Sequence, residues 1–397
     1  MNQSVAGLSS SSRRDFKERV APAATAAEEH ANAVDSEARF PAEAFAAARR
    51  EGLLGMLVPA ELGGLGATYS DVVDTCYMLG RSCASTAMIF AMHQIMVAIL
   101  LRHGRGSIWH ERLLRRIADE QLLMASSTTE GHGGGNLRQS GCAVEQNGLR
   151  MSLAKSATVV SYGAQADGLL VTARRSPDAA SSDQVLVAFL KDDYQLEAIV
   201  GWDALGMRGT CSSGYMLRGS GQIDQVLPIP YPQIHTRTMV PFAHLTWSAV
   251  WSGLAAGSVN RARLFFRDVA RKSGGQLPPG AAHLTRAILS LRTLRGMVGS
   301  AILRYEAIGN KMEELDSLEF QTNINLLKVS ASELATATVI SSMQACGLTG
   351  YRNDTKFSVG RHLRDVLSAS VMINNDRILA NASEATMMME VPLTIRD

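Results

Sequence analysis

The stretch Gln344–Tyr351, QACGLTGY, followed by Ser358–Asn375, SVGRHLRDVLSASVMINN, decides how this chain folds. Helical spacing runs into a Gly-x-x-Gly-Tyr break, then an arginine-rich turn, then a second apolar run that ends in Asn374-Asn375. Glycines at such a corner carry no Cβ, so backbone can approach a bulky ligand closely between two buried helices. Helical pattern surrounds the corner on both sides. It persists from the Pro228–Pro232 link to Asn381, interrupted by one loop, Ser273–Gly280, with Gly-Gly and Pro-Pro pairs. Four or five long helices are expected there.

The other end of the chain is helical too. From Arg13 to about Ile117, Ala-rich charged segments such as Ala24–Arg50 alternate with apolar stripes at three- and four-residue spacing. Pro59 and the glycines Gly63, Gly64 and Gly66 form a loop, and a helix resumes near Ser70, an N-cap type residue. Between Leu122 and Pro230 short β-rich runs take over, such as GLLVTARR from Gly168 and QVLVAFLK from Gln184. Turn residues separate them, and Asn147-Gly148 reads as a hairpin turn. The expected fold class is α+β multi-domain. An N-terminal helical bundle (1–120) precedes a central antiparallel β-barrel or sandwich (121–232) and a C-terminal four-helix bundle (233–397).

Composition narrows the function classes. With 397 residues, 46% apolar and 19% charged, the chain has the balance of a globular protein with a large core. A formal net charge of +2 gives no dense basic face for nucleic acid. Cys76, Cys83, Cys142, Cys211 and Cys346 form no Cys-x-x-Cys pair, so they read as reduced thiols and not as a zinc site. The opening MNQSVAGLSSSS lacks an apolar core of signal length, and Ala87–Leu101, the longest apolar candidate, is broken by His93 and Gln94. A cytoplasmic protein without membrane or nucleic-acid partners is expected.

Four local motifs occur in order along these elements: GLLGMLVPAELGGLGATYSD (Gly52–Asp71), SSTTEGHGGGN (Ser126–Asn136), WDALGMRGTCS (Trp202–Ser212) and the QACGLTGY corner. Together they resemble the acyl-CoA dehydrogenase superfamily across nearly the whole chain from Arg13. The resemblance implies FAD and a homo-oligomer, dimer or tetramer. It implies an acyl-CoA or acyl-carrier-protein substrate, with an electron-transfer partner or a flavin reductase. By the same resemblance Ser126, Thr128 and Thr129 would sit against the flavin, with Ser161 near its reactive nitrogen. A loop of hydroxyls and amides suits flavin heteroatoms and phosphate oxygens. Arg271, Gln344 and Gly347 would hold the adenosine half of a neighbouring subunit's FAD. Where the family has proline and serine, this chain has Gly131 and Gly135, and Gly274 replaces an aromatic after the arginine.

The family's usual base is a glutamate, which removes an α-proton while the flavin takes a β-hydride. That position falls on Ile373, and the alternative location falls near Trp247. Asp376 is the nearby carboxylate, as a replacement base or as an ion-pair partner on a solvated helix face. Asn374 and Asn375 are read either as amides touching flavin or substrate or as plain helix-turn residues. One branch of the fold performs monooxygenation with reduced flavin and needs no such base. That branch often carries a pocket histidine, and His93 stands in an apolar helix where it would orient substrate or serve as a hydrogen-bonded core residue. The expected activity is therefore α,β-dehydrogenation of an acyl thioester with a non-standard base. The alternatives are a flavin-dependent monooxygenase of the same fold, or an inactive paralogue. Met387–Met389 reads as packing.

Overall fold

The computed structural model describes residues 10–130, 138–391 and 393–394. Five helices come first: α1 (Ser10–Ser36), α2 (Ala42–Arg50), α3 (Tyr69–Ser82), α4 (Ala84–His103) and α5 (Ile108–Glu120). Thr68, not Ser70, caps α3. Its hydroxyl accepts the Asp71 N–H while the Asp71 carboxylate accepts the Thr68 N–H, a reciprocal capping box. Ser70 instead donates from its amide and hydroxyl to Glu306, 2.8 and 2.6 Å away. α4 is apolar on every side because it is enclosed on every side. Its length and mean hydropathy of 1.8 would suffice to cross a membrane, but 89% of its apolar window is buried inside the fold. The polar break at Gln94 is used internally: its Nε2 donates to Leu53 O at 2.9 Å.

Seven strands follow among the described residues: β1 (Met124–Ser127), β2 (Glu145–Asn147), β3 (Arg150–Val160), β4 (Gly168–Arg174), β5 (Gln184–Leu190), β6 (Tyr194–Val200) and β7 (Ser213–Gln222). They form two sheets, ordered β1-β4-β5 and β2-β3-β7-β6. The second is antiparallel throughout, while β1 runs parallel to β4 in the first. Along β3 the side chains alternate buried and exposed, the period-two signature of a sheet with one wet face. β4 and β5 are buried almost from end to end. The hairpin between β2 and β3 turns at Gly148-Leu149, one residue later than the sequence suggests, because Asn147 pairs with Arg150. Gly148 sits at φ +60°, where a glycine costs nothing.

The C-terminal part begins with α6 (Tyr231–Ile234), which continues through a π-turn at His235–Met239 into α7 (Val240–Lys272). α8 (Ala281–Ile308), α9 (Met312–Asp316), α10 (Leu318–Cys346), α11 (Leu348–Tyr351), α12 (Gly360–Val366), α13 (Ser368–Val371) and α14 (Asn375–Met388) complete it. α7, α8 and α10 pack along one another, and α14 lies on α10. The turn at Gly206–Thr210 joins the parts. A Cβ on Gly206 would sit 2.2 Å from Arg364 O, so only glycine fits there. Met207 N–H donates to Asp365 Oδ1 at 2.7 Å, and Arg208 Nε donates to Asp35 O at 2.8 Å. Arg364 pairs with Asp35 on α1, so three regions meet in one network. Burial pushes the Asp365 carboxyl up to about 6. All five cysteines are free thiols, and four of them are buried.

Candidate functional site

Two polar regions stand out, one on the sheets and one inside the C-terminal helices. On the sheets, the end of β1 meets the end of β3. Thr129 Oγ1 donates to Val159 O at 3.2 Å, which ties the Ser126–Glu130 segment to the end of β3, just before Ser161. The β3 register slips between Ala157 and Val160, and that bulge leaves Val159 exposed beside the hydroxyls. Ser161 Oγ bonds Ser212 Oγ at 2.8 Å, Ser212 bonds Thr210 Oγ1 at 2.8 Å, and Thr210 donates to Met207 O. Ser127 Oγ is buried without a hydrogen-bond partner among the described residues. The edge thus offers hydroxyls next to an exposed apolar side chain. That mixture suits a flat heteroaromatic ring edged with acceptors and donors, as a flavin is.

Glu130 ends this segment on a buried anchor. Its carboxylate pairs with Lys155 Nζ at 3.2 Å and accepts from Ser140 Oγ and from Gly141 N–H. Burial opposes its charge, but the Lys155 ammonium and those donors prevail and hold it below the usual carboxylate range. Lys155 is itself fully enclosed and donates to Thr172 O and Oγ1 at 2.7 and 2.8 Å. Gly131 and Gly135, expected in the phosphate-facing loop, lie outside the described residues.

Inside the C-terminal helices, four residues of α7 fall at i, i+3, i+4 and i+7 and share one face: His244, Trp247, Ser248 and Trp251. His244 Nε2, Trp247 Nε1, Ser248 Oγ and Trp251 Nε1 are each buried with no hydrogen-bond partner among the described residues. The His244 ring nitrogen Nδ1 contacts Ile324 O at 3.2 Å. A carbonyl only accepts, so Nδ1 carries the proton and Nε2 keeps a bare lone pair. Burial lowers the His244 pKa to about 3, so the ring is neutral.

Lys328 of α10 borders this face, its ammonium 5.7 Å from the centre of the Trp251 ring. It is fully buried and donates to Ile373 O at 2.6 Å and to Asn375 Oδ1 at 2.7 Å. Burial pulls its pKa down to about 8. Ile373 holds a left-handed backbone, φ +48°, an uncommon state for a β-branched residue. Of the two positions expected for a base, 373 is bonded to Lys328 through its carbonyl and 247 lies one turn before Trp251 on α7; neither carries a carboxylate.

The remaining expected residues divide by their partners. His93 is fully enclosed; Met124 N–H donates to its Nδ1 at 3.0 Å, and its Nε2 donates to Leu54 O at 2.8 Å. Both nitrogens are consumed in clamping β1 to the Leu53–Gly55 turn, so His93 offers none to a ligand and the pocket role gives way to a core role. Asn374 caps α14, its Oδ1 accepting from Asp376 and Arg377 N–H groups. Asp376 is exposed on the first turn of α14, which is a dipole-favoured place for a carboxylate but not a desolvated base. Asn375 is buried and bridges Lys328 to Ser332 Oγ, 2.9 Å from its Nδ2. Arg271, Gln344 and Gly347 are all exposed at one end of the C-terminal bundle, where Ala262 and Phe266 pack on Ala345 and Cys346. Arg271 there pairs with Asp268 at 3.0 Å.

Sequence reasoning passed over His244, Ser248, Trp251 and Lys328. The spacing of the four α7 residues was readable, but nothing in a sequence tells which buried polar atoms lack partners. No cluster of three or more potential metal ligands occurs among the described residues.

Residues 10–121 match the acyl-CoA dehydrogenase N-terminal domain and residues 242–382 match the C-terminal domain of that family. An L-evernosamine nitrososynthase of Micromonospora sp. is 28% identical, over 85% of this chain and 81% of its own. A cyclohex-1-ene-1-carbonyl-CoA dehydrogenase of Geobacter metallireducens is 25% identical, over 87% of this chain and 89% of its own. In structure, KijD3 in complex with FMN and dTDP-3-amino-2,3,6-trideoxy-4-keto-3-methyl-D-glucose superposes with a TM-score of 0.79 at 21% identity, covering 98% of this chain and 97% of that one. On these matches and on its three-part architecture, the chain belongs to the acyl-CoA dehydrogenase family, as a divergent, flavin-binding oxidoreductase member.

Proposed function

We propose that this protein is a flavin-dependent monooxygenase that adds oxygen to a substrate amine. The observation that carries the reading is the lack of a buried carboxylate at the two base positions. Ile373 and Trp247 occupy them, and Asp376 faces solvent. A desaturation that begins by removing an α-proton needs a desolvated base of raised pKa. Oxygen transfer to an amine nitrogen does not, because that nitrogen brings its own lone pair. The similarity to a nitrososynthase supports the same direction, since a nitroso group requires oxygen on nitrogen.

Reduced flavin supplies the two electrons with which one atom of dioxygen goes to substrate and the other leaves as water. The chain's own residues bind and orient. Ser126, Thr128, Ser161 and Ser212 would face the ring system, and Glu130 with Lys155 fixes the segment that carries the first two. Lys328 holds the Met372–Asn374 turn against α7. The flavin is proposed to be FAD, its adenosine half reaching Arg271, Gln344 and Gly347 of a second copy. Exposed Leu289, Leu303, Leu348, Tyr351 and Val371 on the C-terminal helices support a homo-oligomer, as does the exposure of Met387 and Met388, which were expected to pack. A flavin reductase would be the electron-supplying partner, in a cytoplasm that keeps the five thiols reduced.

Dehydrogenation of an acyl thioester is the second reading, favoured by the similarity to a CoA-thioester dehydrogenase. The test uses flavin-loaded protein with NADH, a flavin reductase and a dTDP-linked 3-amino sugar. Oxygen uptake that rises with the sugar, and a product one oxygen atom heavier, are expected. Anaerobic bleaching of the oxidised flavin by an acyl-CoA panel, with no response to amines, would replace the first reading with the second.

A further inference from the structure

The strongest unexplained feature is the α7 face formed by His244, Trp247, Ser248 and Trp251. Three of these side chains are enclosed at 1%, 0% and 0% exposure (His244, Ser248 and Trp251). Leaving one buried donor or acceptor unpaired costs on the order of 1–3 kcal/mol, and native folds rarely tolerate several together. Here four lie on one helix face within two turns, with no partner among the described residues. The rest of α7 is treated differently: Thr246, Ser252 and Ser258 all donate back to backbone carbonyls of their own helix at 2.6–2.8 Å. The orphaned set is therefore confined to one face.

Its chemistry is also mixed in a specific way. Both indole N–H groups can only donate, the Ser248 hydroxyl can do either, and His244 Nε2 can only accept while Nδ1 holds its proton against Ile324 O. An acyl chain satisfies none of these groups. A compact molecule with an N–H beside carbonyl or hydroxyl oxygens satisfies all of them.

We infer that this α7 face is the recognition wall for the substrate, with His244 Nε2 accepting an N–H of the amine and the Trp247, Ser248 and Trp251 donors holding its oxygens. The ligand class is a polar, oxygen-bearing amine. The inference rests on the amine reading above, but it concerns binding and is tested by binding. Lys328 borders the wall with two of its three N–H donors committed to Ile373 O and Asn375 Oδ1.

Titration calorimetry on the flavin-loaded protein compares a dTDP-linked 3-amino sugar with its 3-deoxy counterpart. The wild type is expected to prefer the amine by about tenfold, the worth of one good buried hydrogen bond. His244→Phe should bring the two sugars to within about twofold of each other, and His244→Gln, which restores an acceptor, should recover part of the preference. Ser248→Ala should weaken both sugars alike. Full preference in His244→Phe would overturn the inference, as would failure of both sugars to bind the wild type. Binding with a His244-dependent preference but without sugar-stimulated oxygen uptake would sink the oxygenase reading and leave the wall standing. Sugar-dependent oxygenation with the preference intact in His244→Phe would do the reverse.

Discussion

His93 and His244 are both enclosed within long helices, and both are held neutral by burial, with pKa values lowered to about 4 and about 3. They differ in one nitrogen. His93 spends both on backbone, joining Leu54 O to Met124 N–H across the N-terminal helices and β1. His244 spends one on Ile324 O and leaves the other bare. Neither burial nor the depressed pKa separates a frame residue from a site residue, because desolvation acts on both alike. The count of satisfied atoms separates them. A closed account marks a histidine that the fold needs, and an open one marks a histidine that something else must complete.

The largest expected effect breaks the closed member. His93→Leu should destabilise the fold by roughly 3 kcal/mol, because the Met124 N–H is left buried and unpaired and Leu54 O keeps only the longer bond from Gln94 Nε2 at 3.3 Å. Urea unfolding would read the loss. Turnover per flavin-loaded molecule should stay near wild type, and a fall in turnover without a fall in stability would return His93 to the chemistry. Acid sharpens the same point. A histidine whose folded pKa lies below its ordinary value of 6.5 contributes stability that is present above that value and is lost as pH falls toward the folded pKa. Between pH 6.5 and 4, His93 alone should remove roughly 3 kcal/mol from the wild type. The His93→Leu protein should show a visibly shallower decline over that window, and parallel curves for the two proteins would contradict the assignment.

The next effect lies where the open member sits. Lys328→Met keeps the stem and deletes the ammonium, leaving Ile373 O and Asn375 Oδ1 without their donor. About 2 kcal/mol should be lost. The KM for the amine should rise more than kcat falls, since the Met372–Asn374 turn is loosened while no reacting group is removed. An unchanged KM would show that the turn does not border the substrate.

Why the two histidines looked alike beforehand is a matter of what pattern carries. Helical and strand periodicity survives in sequence because burial repeats every few residues, so the three-part order was legible. Capping was legible only to the nearest turn: Ser70 looked suitable, but Thr68 wins because Asp71 stands three residues after it and completes the box. The flavin edge was half legible. Ser161 could be named, while its chain through Ser212 and Thr210 depends on a bulge and a left-handed corner at Cys211 that no local pattern announces. Asn374 and Asn375 look equivalent in sequence, yet one caps a helix and its neighbour is buried against Lys328, 47 residues away along the chain. Partners that distant are set by the crossing of α10 and α14, and spacing is silent about them.

The smallest effect is the most discriminating, because it compares neighbours on one helix. Ser248 and Ser252 both lie fully within α7, one turn apart, at 0% and 1% exposure. Ser252 Oγ donates to Ser248 O at 2.6 Å, whereas Ser248 Oγ has no partner among the described residues. Alanine is the better helix former by about 0.5 kcal/mol. At position 252 that gain is offset by a lost hydrogen bond worth about 1 kcal/mol, so Ser252→Ala should leave the protein slightly less stable. At position 248 an unpaired buried hydroxyl is removed, so Ser248→Ala should be stabilised in the ligand-free protein, by about 1 kcal/mol. Saturating amine should reverse that order, because only the wild-type hydroxyl then gains its partner. Thermal unfolding of the two variants with and without the sugar reads both halves. A drop in ligand-free stability for Ser248→Ala would mean that the hydroxyl already has a structural partner, and the α7 face would then be as closed as the one around His93.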